Sequence, residues 1–253
     1  VKNPIREDGY KYIVGERPDY SQVVEKIRSA LEEKLPGGIR VQVSTAKFNG
    51  LLSESTHSRE FLKNIGSRWL NDADLLLVLA PQHHQITPIA AALPGAERHI
   101  IDQHCDCSRP SEPLNGQTHA SYAVHKLGVP AGKLHYHGLF ETHALCGGKL
   151  DARILGTMRA QGFVGNDAQH LETVSTADWI DVDADGLADG GVRTVYVPGF
   201  IPSEHVLQAI RNSAPRVITL SEYSPKNDRA GGRLAMQLAV EGALARLKKL
   251  KLD

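Results

Sequence analysis

Short, wholly apolar runs of strand length alternate along this chain with longer stretches patterned for helices, and few architectures accept that rhythm. Leu75-Leu76-Leu77-Val78-Leu79-Ala80 leaves no polar side for water, so a strand built from it must be covered on both faces. Tyr20 to Leu35 puts Val23, Val24, Ile27, Ala30 and Leu31 at helical spacing before Pro36-Gly37-Gly38 ends the pattern. Ile39 to Val43 then alternates like a strand, Arg59 to Leu70 is helical again, and Pro88 opens the apolar stretch Ile89 to Leu93. The rhythm continues through Ile100-Ile101, the region Ala120 to Leu127, the strand-like Lys133 to Phe140, the helix-like Leu150 to Gln161 and a strand at Trp179. It closes with a helix over Ser203 to Asn212, a strand over Arg216 to Leu220 and a long helix from about Ala230 to Leu250. This order predicts an α/β fold, a three-layer αβα sandwich around a mostly parallel central sheet. Neither a low-complexity linker nor an internal repeat divides the 253 residues, so a single domain over 1–253 is expected.

Composition narrows the partners. Lys plus Arg and Asp plus Glu balance at 29 each, which gives no overall field toward nucleic acid or an anionic membrane surface. A small-molecule partner is expected instead. Cys105, Cys107 and Cys146 are odd in number and form no CxxC pair, against both a disulfide framework and a zinc ribbon. A reducing, cytoplasmic setting fits them. No apolar run reaches the roughly 20 residues of a membrane span, and Val1-Lys2-Asn3-Pro4 has no signal-peptide core. The basic Lys248-Lys249-Leu250-Lys251 reads as the solvated end of a helix, where the helix dipole favours cations.

Chemistry concentrates where the apolar runs stop. Ile100-Ile101 leads into Asp102-Gln103-His104-Cys105-Asp106, and in an extended segment Asp102, His104 and Asp106 share one side. Trp179-Ile180-Asp181-Val182-Asp183-Ala184-Asp185 carries three alternating carboxylates, and Leu75 to Ala80 runs toward His83-His84. Ligands of parallel α/β sheets collect at the carboxyl ends of strands, so these pieces are expected to build one site. The candidate metal ligands are His84, Asp102, His104, Asp106, Asp183 and Asp185. Carboxylates with imidazoles and no thiolate suit Mn²⁺ or a similar ion better than structural zinc. Four carboxylates exceed what one divalent ion needs and match two ions about 3.5 to 4 Å apart.

These segments together resemble the ureohydrolases, the arginase, agmatinase and formiminoglutamase superfamily. Pro81-Gln82-His83-His84-Gln85 resembles the family's GGDHS segment, with His84 at the ligand position, and Asp102 to Asp106 resembles DAHxD with Gln103 for alanine. Asp183-Ala184-Asp185-Gly186-Leu187-Ala188-Asp189 resembles DxDxxDP, Pro198 to Glu204 resembles the PGGL turn before a helix, and Glu222-Tyr223-Ser224-Pro225 resembles ExNP. The likeness covers roughly residues 70 to 250. Both glycines of GGDHS are missing, Ala188-Asp189 stands for the Asp-Pro, and residues 1 to 60 lack the family's GxxxGP signature, so the resemblance is to a divergent branch. Asp181 and Asp183 could equally supply the DxD pair; the register that sets Leu187 on the family's leucine selects Asp183 and Asp185.

The resemblance implies an arginase-like fold and a binuclear manganese amidinohydrolase with two Mn²⁺ per chain. Such an enzyme hydrolyses a linear guanidine or amidine C–N bond through a metal-bridging hydroxide and releases urea and an amine. A formimino compound hydrolysed at the same site is the alternative, as is a degraded ureohydrolase fold serving as a binding or assembly protein. In the catalytic reading Asp106, or its neighbour ligand, holds the proton of the tetrahedral intermediate, Glu222 clamps the guanidinium, and His119 hands a proton to the departing amine. His83 is expected to order its loop or approach the metal, and His135 and His137 to be packed or surface residues. The family also implies a homo-oligomer, a trimer or hexamer.

Overall fold

The computed structural model describes residues 19–35, 40–45, 58–71, 73–106, 114, 118–139, 164–166, 168–188, 199–223, 225 and 232–252. Among these residues seven strands form one sheet: β1 (Val41–Thr45), β2 (Leu75–Leu79), β3 (Arg98–Ile101), β4 (Leu134–His137), β5 (Val164–Asn166), β6 (Trp179–Asp183) and β7 (Val217–Ser221). Their order across the sheet is β1-β2-β7-β6-β3-β4-β5, and every pairing among them is parallel. The helices are α1 (Ser21–Lys34), α2 (Arg59–Leu70), α3 (Thr87–Ala92), α4 (His119–Leu127), α5 (Ser203–Ser213) and α6 (Arg233–Leu252).

Burial explains the apolar runs. On one face Leu75, Leu77, Leu79, Ile180 and Ile218 pack against Val23 and Ile27 of α1, Val206 and Ile210 of α5, and Leu238 of α6. On the other, Leu76, Val78, Ile100 and Val217 meet Leu62 of α2, Ile89 of α3 and Ala123 of α4. A strand with neighbours above and below has no side left for polar residues, so β2 is apolar throughout. The three-layer sandwich predicted from the rhythm is therefore present, with strand and helix limits mostly within a residue or two of expectation. The helical pattern Leu150 to Gln161 lies outside the described residues, as does most of the polar loop after Asp106. No described helix is long and apolar enough to cross a membrane.

Candidate metal centre

Four strands that neighbour one another, β2, β7, β6 and β3, deliver the candidate residues from their carboxyl ends. The extended comb expected after β3 does not form. The strand stops at Ile101, and Asp102 Oδ1 accepts a hydrogen bond from the His104 backbone N–H at 2.7 Å. β6 ends by the same device: Asp183 Oδ1 accepts from Asp185 N–H at 3.2 Å and opens a short 3₁₀ turn, Ala184–Gly186. An aspartate that bends the chain with one oxygen keeps the other for a second partner. Convergence of the donors thus comes from two turns, not from strand parity.

Two glycines let these turns meet. A Cβ on Gly186 would lie 2.9 Å from the backbone N and Cα of Asp102, and one on Gly199 would lie 2.3 Å from Gly186 O. The turn before α5 is then pinned to the β6 turn by Ile201 N–H donating to Gly186 O at 3.2 Å and Ala188 N–H donating to Ile201 O at 2.9 Å. Among the described residues three without the glycine exemption have positive φ: Asp106 at 47°, Glu222 at 53° and Ala214 at the end of α5. Two of the three are candidate site residues, and left-handed backbone of this kind is held where the surroundings require it.

The imidazole at the centre is that of His83, not His84. Its Nδ1 lies 3.1 Å from Asp102 Oδ2, 3.2 Å from Asp106 Oδ2 and 3.0 Å from Asp183 Oδ2, none of them aligned as a hydrogen bond. On the far side its Nε2 lies 3.0 Å from Asp181 Oδ2. A nitrogen equidistant from three carboxylates and aimed at none faces the point they share. His104 Nδ1 stands 3.1 Å from Asp185 Oδ2 and 3.4 Å from Asp102 Oδ1. One trio, His83, Asp102 and Asp183, therefore has its ligand atoms within 4.8 Å of one another, as does a second, Asp102, His104 and Asp185. Asp102 belongs to both, Glu222 joins Asp183 and Asp185 in a third, and His83, His119 and Asp181 make a fourth.

Charge tells the same story. Six carboxylates share this space: Asp102, Asp106, Asp181, Asp183, Asp185 and Glu222. Burial and the neighbouring Asp185 and Asp102 push the Asp183 carboxyl well above its ordinary range, and burial with Asp183 and Asp185 does the same to Glu222. Burial opposes the charged form of His104, but Asp102 and Asp185 outweigh it and raise its pKa. The cluster holds more negative charge than its own side chains offset, while Asp102 Oδ2, Glu222 Oε2 and His83 Nδ1 are buried without an aligned donor. Cations with oxygen and imidazole preference fit such a donor set.

Other sequence expectations need correction. His84 is buried, its Nδ1 lacks a hydrogen-bond partner, and burial with the nearby His119 and His83 lowers its pKa to about 4. It enters none of the ligand trios, whereas His83 enters two. His119, expected to reach a leaving group, is 1% exposed, with Nδ1 3.1 Å from Asp106 Oδ2 and Nε2 3.3 Å from a guanidinium nitrogen of Arg98. Its Nε2 is engaged by Arg98, while Nδ1 lies beside Asp106 without hydrogen-bond alignment. Asp181 lies beneath His83, ion-paired with Arg98. Arg98 and Thr219 were not anticipated, although an arginine heading the buried run Ile100-Ile101 is itself a signal, since such a charge needs a buried partner. Glu222 sits at the rim, half-buried, at the carboxyl end of β7.

In sequence comparison neither a family model nor a curated protein matches the chain. Solved structures match its fold. Formimidoylglutamase from Bacillus subtilis superposes with a TM-score of 0.61 at 14% identity, over 94% of this chain and 83% of that one. Arginase from Bacillus subtilis gives 0.59 at 16%, over 92% and 94%, and the agmatine ureohydrolase of Thermoplasma volcanium gives 0.59 at 18%, over 77% and 70%. The class these likenesses define is the arginase-like α/β fold. Within it this chain is a divergent form, alike in architecture and far apart in sequence.

Proposed function

We propose that the chain is a divergent ureohydrolase, a metal-dependent hydrolase that cleaves the C–N bond of a linear guanidine or amidine with two Mn²⁺ per chain. The observation that carries this reading is the pair of donor trios sharing Asp102, with Glu222 at their rim. His83, Asp102, Asp106 and Asp183 would hold one ion and Asp102, His104, Asp183 and Asp185 the other. Bound divalent ions in such a site supply an acidified water and Lewis-acid polarisation. Glu222 offers a carboxylate, the planar partner a guanidinium pairs with through parallel hydrogen bonds. Asp106 stays ionised because His119 and His83 outweigh the effect of its burial, so it serves as ligand and acceptor, and His119 acts by holding it.

A formimino substrate at the same site is the second reading, since formimidoylglutamase is among the similar folds. A binding or assembly protein without catalysis is disfavoured by the retained donors. We further propose a cytoplasmic enzyme working as a homotrimer or hexamer, which light scattering of the purified protein tests. Release of urea, or of formamide, from arginine, agmatine and N-formimino-glutamate after Mn²⁺ loading tests the activity. Turnover of one of them is expected; a folded, Mn²⁺-loaded protein inert toward all three contradicts the catalytic reading.

A further inference from the structure

Beneath His83 lies a second buried layer, in which Asp181 and His119, themselves a donor trio with His83, are held in turn by Arg98. Arg98, the first residue of β3, is 2% exposed, and its guanidinium carbon lies 4.1 Å from the centre of the Trp179 ring. Its Nε donates to Asp181 Oδ2 at 2.9 Å, and a terminal nitrogen of the guanidinium contacts the same oxygen. Thr219 Oγ1, on the adjacent strand β7, donates to Asp181 Oδ1 and receives the Trp179 indole N–H at 2.9 Å. Asp181 is wholly buried and has both oxygens occupied before His83 is counted. Such a carboxylate costs folding free energy unless paired, and Arg98 pairs it.

We propose that Asp181, clamped by Arg98 and Thr219, is the positioning residue that turns His83 toward the cations, and that Arg98 sets the proton of His119 by the same contact. The argument is one of donors and acceptors. An ionised carboxylate only accepts, so the His83 nitrogen facing Asp181 at 3.0 Å carries the hydrogen. Nε2 is thereby committed, and Nδ1 is the nitrogen left for a cation. A guanidinium only donates, so His119 Nε2, 3.3 Å from Arg98, is the acceptor and its hydrogen sits on Nδ1, facing Asp106. The two rings lie 4.0 Å apart between centroids, tilted at 45°, and with a cation on His83 Nδ1 they would carry opposite tautomers. One buried arginine thus orders a cation ligand through a carboxylate and a second ligand, Asp106, through an imidazole. Outer partners of this kind raise ligand basicity and change metal affinity by about 10- to 100-fold.

The inference rests on the metal-centre reading, and titration calorimetry with Mn²⁺ separates the two. Asp181→Asn preserves shape and removes charge. It is expected to weaken Mn²⁺ binding by about 10- to 100-fold in protein that stays folded, with a lowered melting temperature because Arg98 loses its buried partner. In the His83→Ala background the same change is expected to have no further effect on affinity, since the partner it orients is gone. Thr219→Val, which loses only a hydroxyl donor to Asp181, is expected to weaken binding several-fold and serves if Asp181→Asn does not fold. Parental affinity in the folded variants, or full additivity with His83→Ala, overturns the relay alone. Absence of Mn²⁺ binding by the unaltered chain overturns the relay and the metal centre together.

Discussion

Two histidine clusters flank β3, and they are opposite in kind. On the face toward α3 and α4, His83 and His119 stand among carboxylates, and with His104 beyond the strand end they make the donor trios. On the other face His99 Nδ1 lies 3.0 Å from His137 Nε2, the His99 and His135 rings stack at 4.6 Å, and none of these residues enters a donor trio. The one carboxylate contacting that second cluster through a described ion pair, Glu97, is shared between Lys133 and His135. Burial and the neighbouring His135 lower the His99 pKa to about 4, whereas Asp181 and its fellow carboxylates overcome burial at His83 and raise it well above the ordinary value. Imidazoles alone do not make a cation site. Uncompensated carboxylates around them could, and among the described residues these lie on one side of β3.

The largest expected effect comes from removing one of those charges. Asp183→Asn should lower Mn²⁺ affinity at least about 100-fold and, in the cation-free protein, raise the melting temperature by several degrees. The sign follows from the raised Asp183 pKa: the folded state holds its proton more tightly than the unfolded state, so cation-free stability falls as pH rises above the ordinary carboxylate range. Calorimetric titration and a thermal melt check both halves, and a lower melting temperature without cation would mean that the carboxylates are satisfied by the protein itself.

Gly186→Ala should come next. A Cβ there meets the Asp102 backbone, so the β3 and β6 turns must separate; roughly 2 to 4 kcal/mol of stability is expected to be lost in urea denaturation, with weakened Mn²⁺ binding. Parental Mn²⁺ affinity in this variant would show that the trios do not depend on the contact between the turns.

The second cluster should respond to pH in the opposite direction. The depressed pKa of His99 means the unfolded state binds the proton first, so stability is lost as pH falls from about 6.5 to about 4. His99→Gln should flatten that slope by up to about one proton and leave Mn²⁺ stoichiometry unchanged. Smallest of all, Glu97→Gln should cost about 1 kcal/mol or less, because its partners Lys133 and His135 are partly solvated, and altered Mn²⁺ binding in that variant would tie the two clusters together.

The strand and helix rhythm was legible because a sheet covered on both faces forces it into the sequence, as β2 shows. The carboxylates were legible too, since Asp102, Asp183 and Asp185 must follow strand ends to reach the sheet edge. What failed was resolution to a single residue. His83 and His84 are equivalent in sequence, and only the 3₁₀ turn over His83–Ile86 decides which ring faces Asp102. His119 carried no sign that Arg98, 21 positions earlier on the strand preceding its helix, would occupy its Nε2. A pairing of this kind depends on how the helix folds back onto the strand, which local pattern does not encode.

Equilibrium dialysis against Mn²⁺ followed by elemental analysis tests the central claim most directly, applied to the unaltered chain, His83→Ala and His84→Ala. About two Mn²⁺ per chain are expected in the unaltered protein and in His84→Ala, and about one or fewer in His83→Ala. A folded, unaltered chain holding close to none, or a loss in His84→Ala with full occupancy in His83→Ala, would contradict it.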